Sequence, residues 1–214
     1  MIGLNKIDVP DSLRIHKEEW TNELMEYIDN KKEVPDSLKN KYNQDDVKLQ
    51  LKKETHGKCI YCESIIGHIA YEHIEHYRPK KKYPKLTFEW SNLGLACPIC
   101  NTKKSDEFDE ACPIVNPYSD NPSDHFLFLG TMVIHKPDDK RGELTELLLE
   151  LNRPELMEAR KERIDAIRNL VDKYFKETNE SLKKILLKEI KKEISEDKPY
   201  SMCARSVVNQ MIKL

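Results

Sequence analysis

Glycine is scarce, at 6 of 214 residues, against a usual share near ~7%. All-β folds lean on glycine-rich turns, so this shortage, with abundant Lys, Glu and Leu, points to helix. Long apolar runs are missing too. Nothing approaches the ~18 residues that span a bilayer, and the opening Met1-Ile2-Gly3-Leu4-Asn5-Lys6-Ile7-Asp8 lacks the apolar stretch of a secretory leader. The expectation is a cytoplasmic protein with no membrane partner. Its six cysteines then serve as thiols or metal ligands rather than as a disulfide framework. A basic excess is absent as well. Against 38 Asp and Glu stand 36 Lys and Arg, a net charge of −2, which argues against indiscriminate coating of nucleic acid and leaves room for a local patch. No G-x-x-x-x-G-K-[ST] string occurs, so any nucleotide hydrolysis would be a partner's.

Three zones are present. Residues 1–56 carry helical stretches opened twice by Pro-Asp-Ser-Leu, at Pro10 and at Pro35, with Asp or Ser as the expected N-cap. Residues 57–130 hold both Cys-x-x-Cys pairs and short β-capable runs, one across 67–75 and a second at Leu86-Thr87-Phe88-Glu89-Trp90. Residues 131–214 begin with a strand around Met132-Val133-Ile134 and continue as charged helices. Leu144, Leu147, Leu148 and Leu151 make one apolar face there, and Ile164, Ile167, Leu170, Val171 and Phe175 make another. A last short helix is expected over 201–213.

Cys59-Ile60-Tyr61-Cys62 and Cys97-Pro98-Ile99-Cys100 are two knuckle-like turns separated by 34 residues. Four such thiolates fit tetrahedral Zn²⁺, with Zn–S near ~2.3 Å. The separation exceeds the ~15–20 residues of a generic zinc ribbon, so something sizeable is looped out between them. A thioredoxin-type redox role is disfavoured, because neither pair sits in a βαβ pattern. Cys112 and Cys203 read as ordinary thiols.

The loop between the knuckles contains Glu72-His73-Ile74-Glu75-His76-Tyr77-Arg78-Pro79-Lys80 and later Trp90-Ser91-Asn92-Leu93; Asn101-Thr102-Lys103-Lys104 follows the second pair. An acidic-His pair followed by Pro, then Asn-Leu, Cys-x-x-Cys and Asn-x-x-Lys resembles the HNH nuclease motif, a ββα-metal finger. The resemblance implies that His76 is the general base, and an imidazole with pKa near ~6.5 suits that task. It implies Glu75 and Asn101 as side-chain ligands of one Mg²⁺ or Mn²⁺, hard cations that take oxygen. It implies Asn92 as the residue that holds the loop and the catalytic His. Lys104, one turn beyond Asn101, is expected at the scissile phosphate. The family's acidic residue is commonly Asp and its last letter His; Glu75 and Asn101 both keep an oxygen ligand. Pro98 in the first turn of the last helix places helix-start amides near Asn101 and any bound phosphate. His73 is given a supporting role on the same strand face as Glu75. His56, His68, His125 and His135 belong to no motif.

Between His76 and Lys104 stand Arg78, Lys80, Lys81, Lys82, Lys85, Lys103 and Lys104 against the single carboxylate of Glu89, a local charge of +6. Tyr77 and Tyr83 are interleaved as candidate stacking partners. Beside a metal site this reads as a phosphate-binding patch.

Further blocks resemble one HNH subfamily, the nuclease component of Septu-type antiphage systems and its retron-associated relative. They include Tyr77-Arg78-Pro79-Lys80, Asn116-Pro117, Asp124-His125-Phe126, Leu151-Asn152-Arg153, Pro199-Tyr200-Ser201 and Ala204-Arg205-Ser206. The resemblance implies an ABC-type ATPase as partner in a hetero-oligomeric complex, and DNA or RNA as substrate. The expected fold is α+β, mainly α: a ββα-metal core with a four-cysteine zinc knuckle, flanked by N- and C-terminal helices. Two rival readings remain. A non-catalytic zinc module would need its cysteines and tolerate loss of Glu75, His76 and Asn101. A free-standing restriction-type or homing-type nuclease would cut without an ATPase.

Overall fold

The computed structural model describes residues 1–67 and 72–212. Part of the strand expected at 67–75, with His68, lies outside the described residues. Three helices come first: α1 (Asp11–Asp29), α2 (Asp36–Lys39) and α3 (Asp45–Thr55). Strands β1 (His73–His76) and β2 (Leu93–Ala96) lead into α4 (Pro98–Lys104). The short helix α5 (Pro122–His125) runs into the hairpin β3 (Phe126–Leu129) and β4 (Met132–His135). Helices α6 (Lys140–Leu148), α7 (Pro154–Lys176), α8 (Glu180–Glu193) and α9 (Ser201–Met211) complete the chain. The fold is α+β and mainly α, with two antiparallel two-stranded sheets among the described residues. None of the described helices is long and apolar enough to cross a membrane.

The helix starts differ from the expected capping. Pro10 and Pro35 themselves occupy the cap positions, and neither helix has a side-chain cap bond. Asp11 and Asp36 fall in the first turn, where a carboxylate meets the positive end of the helix. Ser12 instead ties α1 to α3, its backbone N–H and its hydroxyl donating to Asp46 at 2.8 Å each. Leu13, Trp20 and Leu24 of α1 bury against Val47, Leu51, Phe88, Trp90, Leu93 and Leu95, so the N-terminal helices pack on the sheet that bears the site.

The second strand is not 86–90 but β2, seven residues later. Pro84 opens a single 3-10 turn, the Thr87 hydroxyl closes back on the Pro84 carbonyl at 2.7 Å, and a second such turn spans Trp90–Asn92. The β-capable residues of 86–90 are thus spent on turns that bury Phe88 and Trp90. β2, Leu-Gly-Leu-Ala, is buried at every position, so it shows none of the alternation by which a half-exposed strand is read. Gly94 lets the first knuckle approach the strand closely. A Cβ on it would meet the Ile60 side chain at 2.6 Å, and the Ile60 N–H donates to the Leu95 carbonyl at 2.9 Å.

In α6 the buried face is Gly142 and Thr145, continued by Leu149 and Leu151 beyond the helix, while Leu144 and Leu147 are exposed. The Thr145 hydroxyl turns this face inward by accepting from the Val115 N–H at 2.8 Å. On α7 the expected Ile164, Ile167 and Val171 are buried, and Phe175 is exposed. α7 packs on both α8 and α9.

Candidate active site

The first knuckle is a tight turn in which Cys59 N–H donates to Ser64 O at 2.9 Å and Glu63 N–H to Cys59 O at 3.0 Å. The second opens α4, with Cys97 as its cap and its sulfur accepting from Cys100 N–H at 3.4 Å. One helix-start amide, that of Cys100, therefore serves a sulfur of the cluster. All four Sγ atoms lie within 4.8 Å of one another, and Cys62 and Cys97 are 3.9 Å apart. Tetrahedral Zn–S bonds of ~2.3 Å need sulfurs about 3.8 Å apart, so the donor set fits zinc in both chemistry and spacing. Burial pushes the Cys59 thiol up, while hydrogen bonds from Cys100, Cys59 and Cys97 pull Cys62 well down. Hydrogen bonds within the cluster pull Cys97 down as well.

β1 pairs with β2 so that Glu75 stands opposite Gly94 and His76 opposite Leu93. His73 and Glu75 share one strand face, and α4 packs on it. There the Asn101 amide lies 3.0 Å from His73 Nδ1. An imidazole lone pair accepting from Asn101 Nδ2 leaves Oδ1 as the free atom of that amide. Lys104 Nζ reaches Glu75 Oε1 at 2.6 Å and donates to His76 O at 2.9 Å. The Tyr61 hydroxyl, from inside the first knuckle, donates to Glu75 at 3.4 Å. Burial pushes the Glu75 carboxyl up to about 7, and the Lys104 ammonium pulls in the opposite direction.

His76 faces the other side. Its Nε2 lies 2.9 Å from Thr87 O. A carbonyl only accepts, so Nε2 carries the proton and Nδ1 keeps its lone pair. Tyr42 stands edge-on to the ring at 4.5 Å. Burial drives the imidazole down to about 4, against the bond to Thr87. At neutral pH the ring is therefore uncharged and able to accept a proton.

Asn92 clamps the loop between the strands. Its Oδ1 accepts from Arg78 N–H at 2.7 Å, and its Nδ2 donates to Arg78 O at 3.0 Å and Leu86 O at 3.1 Å. Asn92→Ala removes all three bonds and strands buried backbone groups, so we expect roughly 2–4 kcal/mol lower stability. A urea midpoint equal to that of the parent would contradict this role.

Two expectations need correction. Lys104 is fully buried and tied to Glu75, which removes it from any surface phosphate. Asn101 and Lys104 share a helix face as expected, but that face looks into β1. The basic patch is also smaller than its local charge suggested. Lys80 is turned inward, with Nζ 3.1 Å from Tyr42 OH and 3.5 Å from Lys39 O. Lys103 pairs with Glu150 and Arg78 with Glu110, and Tyr83 donates to Glu110. Tyr77 is half-buried, its hydroxyl donating to Ile114 O at 2.6 Å and its ring edge-on to Phe108. The window of +6 stops short of Asp106, which lies 3.9 Å from Lys81, and of Glu110, which pairs with Arg78. Lys81, Lys82 and Lys85 remain exposed.

Tyr42, Tyr61 and Thr87 were not recognised from the sequence. Tyr61 had a signal, its place inside a ligand knuckle; Tyr42, 34 residues before His76, had none. His125 and His135 each bond a carboxylate, Asp139 at 2.6 Å and Glu146 at 2.8 Å, and His56 ends α3 in a left-handed conformation.

Two antiparallel strands and a helix carry Glu75, His76 and Asn101, with one cysteine turn ahead of β1 and the other opening α4, which is the layout of a ββα finger. The comparison with known proteins agrees: residues 59–107 match the HNH endonuclease family. Over 150 residues it is 37% identical to the Septu protein PtuB of Bacillus mycoides (strain KBAB4), covering 56% of this chain and 51% of that protein. Over 107 residues it is 36% identical to the Septu protein PtuB of Bacillus thuringiensis, covering 50% and 41%. The chain spans about half the length of the curated relatives it matches.

Proposed function

We propose that this chain is a metal-dependent endonuclease that hydrolyses phosphodiester bonds of DNA or RNA, as the effector of an antiphage defence system. The observation that carries the catalytic part is the His76 hydrogen bond to Thr87 O, which leaves Nδ1 unprotonated in a neutral imidazole. His76 takes a proton from the attacking water. Glu75 and Asn101 would hold Mg²⁺ or Mn²⁺, which supplies charge stabilisation at the phosphate and the leaving oxygen. His73 orients the Asn101 amide, while Lys104 and Tyr61 hold the Glu75 carboxylate. Asn92 keeps the loop, and with it the Thr87 carbonyl, in place. The four-cysteine cluster binds zinc and clamps both ends of the finger.

The relatives' name supports the defence setting, and a partner ATPase of the ABC type extends the reading. Phe175 at the end of α7, with Leu182 and Ile185 at the start of α8, is exposed and offers such a partner an apolar face. The division into 1–56, 57–130 and 131–214 and a cytoplasmic location belong to the same proposal.

The test is incubation of the purified chain with supercoiled plasmid and with total RNA, in Mg²⁺, Mn²⁺ or EDTA, beside His76→Ala. Cutting that needs metal and disappears in the variant supports the reading and names the substrate. The deep burial of Glu75 and His76 favours the rival zinc module. That rival prevails if the chain stays inactive even with its neighbouring ATPase added.

Substrate binding has its own expected outcome. Neutralising Lys81, Lys82 and Lys85 to Gln should weaken nucleic-acid binding and lower the slope of log K against log salt by about 2–3. A slope unchanged from the parent would remove these lysines from the interface.

A further inference from the structure

We propose that Arg153 is the counter-charge of the four-cysteine metal cluster, holding the start of α7 on the zinc site through N–H···S bonds to Cys100. Both terminal guanidinium nitrogens lie 3.8 Å from Cys100 Sγ. One of them also donates to Leu149 O at 3.2 Å and Glu150 O at 3.3 Å, while Nε has no partner. Arg153 is 9% exposed. Among the described residues, no carboxylate lies within 4 Å of it. A buried guanidinium with no anion is costly.

The anion is the cluster itself. Zn²⁺ with four thiolates carries a net charge of −2, in an environment that buries three of its four cysteines. The unpaired cation and the surplus of negative charge therefore answer each other. Hydrogen bonds to ligating sulfurs are the usual outer-shell means of holding a metal site in place. The planar fork of arginine can offer two donors to one sulfur, which a lysine cannot.

This gives the block Leu151-Asn152-Arg153 a physical role. Leu151 is buried in the core around the cluster. Asn152 grips β4, accepting from Val133 N–H at 2.9 Å and donating to Val133 O at 2.8 Å. Arg153 adds the metal cluster, and Pro154 then starts α7. Three consecutive residues thus dock the C-terminal helices on the hairpin and on the zinc site together.

The proposal rests on the zinc reading of the cysteines, and cobalt substitution separates the two. In the full-length chain loaded with Co²⁺, the thiolate-to-cobalt charge-transfer band reports hydrogen bonding at sulfur. Arg153→Met should move this band to longer wavelength, because sulfur lone pairs rise in energy when N–H donors are removed. Zinc affinity against a chromogenic chelator should fall about ten- to a hundredfold. Arg160→Met is the control. Arg160 is also buried, and it bonds Thr131 O at 3.0 Å and Asn152 Oδ1 at 3.5 Å without touching a thiolate. Its loss should lower stability and leave the band in place. Should Arg153→Met not fold, Arg153→Lys, which keeps the charge and loses the two-donor fork, should move the band in the same direction by less. An unmoved band with parental zinc affinity overturns the proposal. A parent chain with no thiolate-to-cobalt band overturns the zinc reading, and this proposal with it.

Discussion

His76→Ala is expected to lower metal-dependent cleavage by about 10²–10⁴-fold, the usual contribution of a positioned general base. The size follows from how the imidazole is prepared. The Thr87 carbonyl fixes both tautomer and ring orientation, which leaves Nδ1 as the accepting atom. Burial keeps the ring neutral, so no activity is lost to a protonated population at neutral pH. Alanine removes the base and also leaves Thr87 O without its partner, which costs about 1–3 kcal/mol of stability. A melting curve on each variant separates the two effects. His76→Asn adds a second check, since it retains a side-chain N–H donor and lacks the base. Full cleavage by a folded His76→Ala would mean that another group activates water.

Loss of a zinc ligand is expected to be more severe still, and on stability rather than on rate alone. Cys62→Ser, or exhaustive chelation of the parent, should unfold the finger. Apparent binding energies of structural zinc run to about 10–16 kcal/mol in small domains, as large as the ~5–15 kcal/mol that stabilises a whole domain. The geometry shows what would fail. Cys59, Cys62 and Cys100 belong to the same buried cluster as Ile60, Tyr61, Phe126 and Leu149. The first knuckle also bonds β2 through Ile60, so losing the cluster releases the strand that faces β1. Zinc per chain by elemental analysis, with near-ultraviolet circular dichroism, measures both parts. A metal-free Cys62→Ser that melts with the parent would show the cysteines to be ordinary core thiols.

The two cysteine pairs, the Glu75-His76 pair, Asn92 and Asn101 were legible because each is a local string whose chemistry needs that residue type at that spacing. The turn chemistry between the strands was less legible. Residues 86–90 are β-capable in isolation, yet Pro84, the Thr87 hydroxyl and Asn92 turn them into 3-10 turns. β2 shows no alternation because both of its faces are covered. The leucine spacing in α6 pointed to a face that the Thr145–Val115 bond rotates away from the core.

By itself the sequence determined the donor set of the cysteine cluster, the likeness of residues 59–107 to HNH endonucleases and the mainly helical class, all properties of residue type and near-neighbour spacing. The tertiary structure alone decided which atoms are available. Packing of α4 on β1 turned Lys104 inward onto Glu75, where Tyr61 also reaches. Packing of the N-terminal helices brought Tyr42 against His76 and drew Lys80 to it. Glu110 and Glu150 took up Arg78 and Lys103, and Tyr42 drew in Lys80, which left Lys81, Lys82 and Lys85 as the exposed remainder of the patch. The start of α7 laid a buried guanidinium on a thiolate cluster 53 residues away in the chain. The reason is common to all of these: charge and burial depend on neighbours in space, and the chain separates those neighbours by more residues than any local pattern spans.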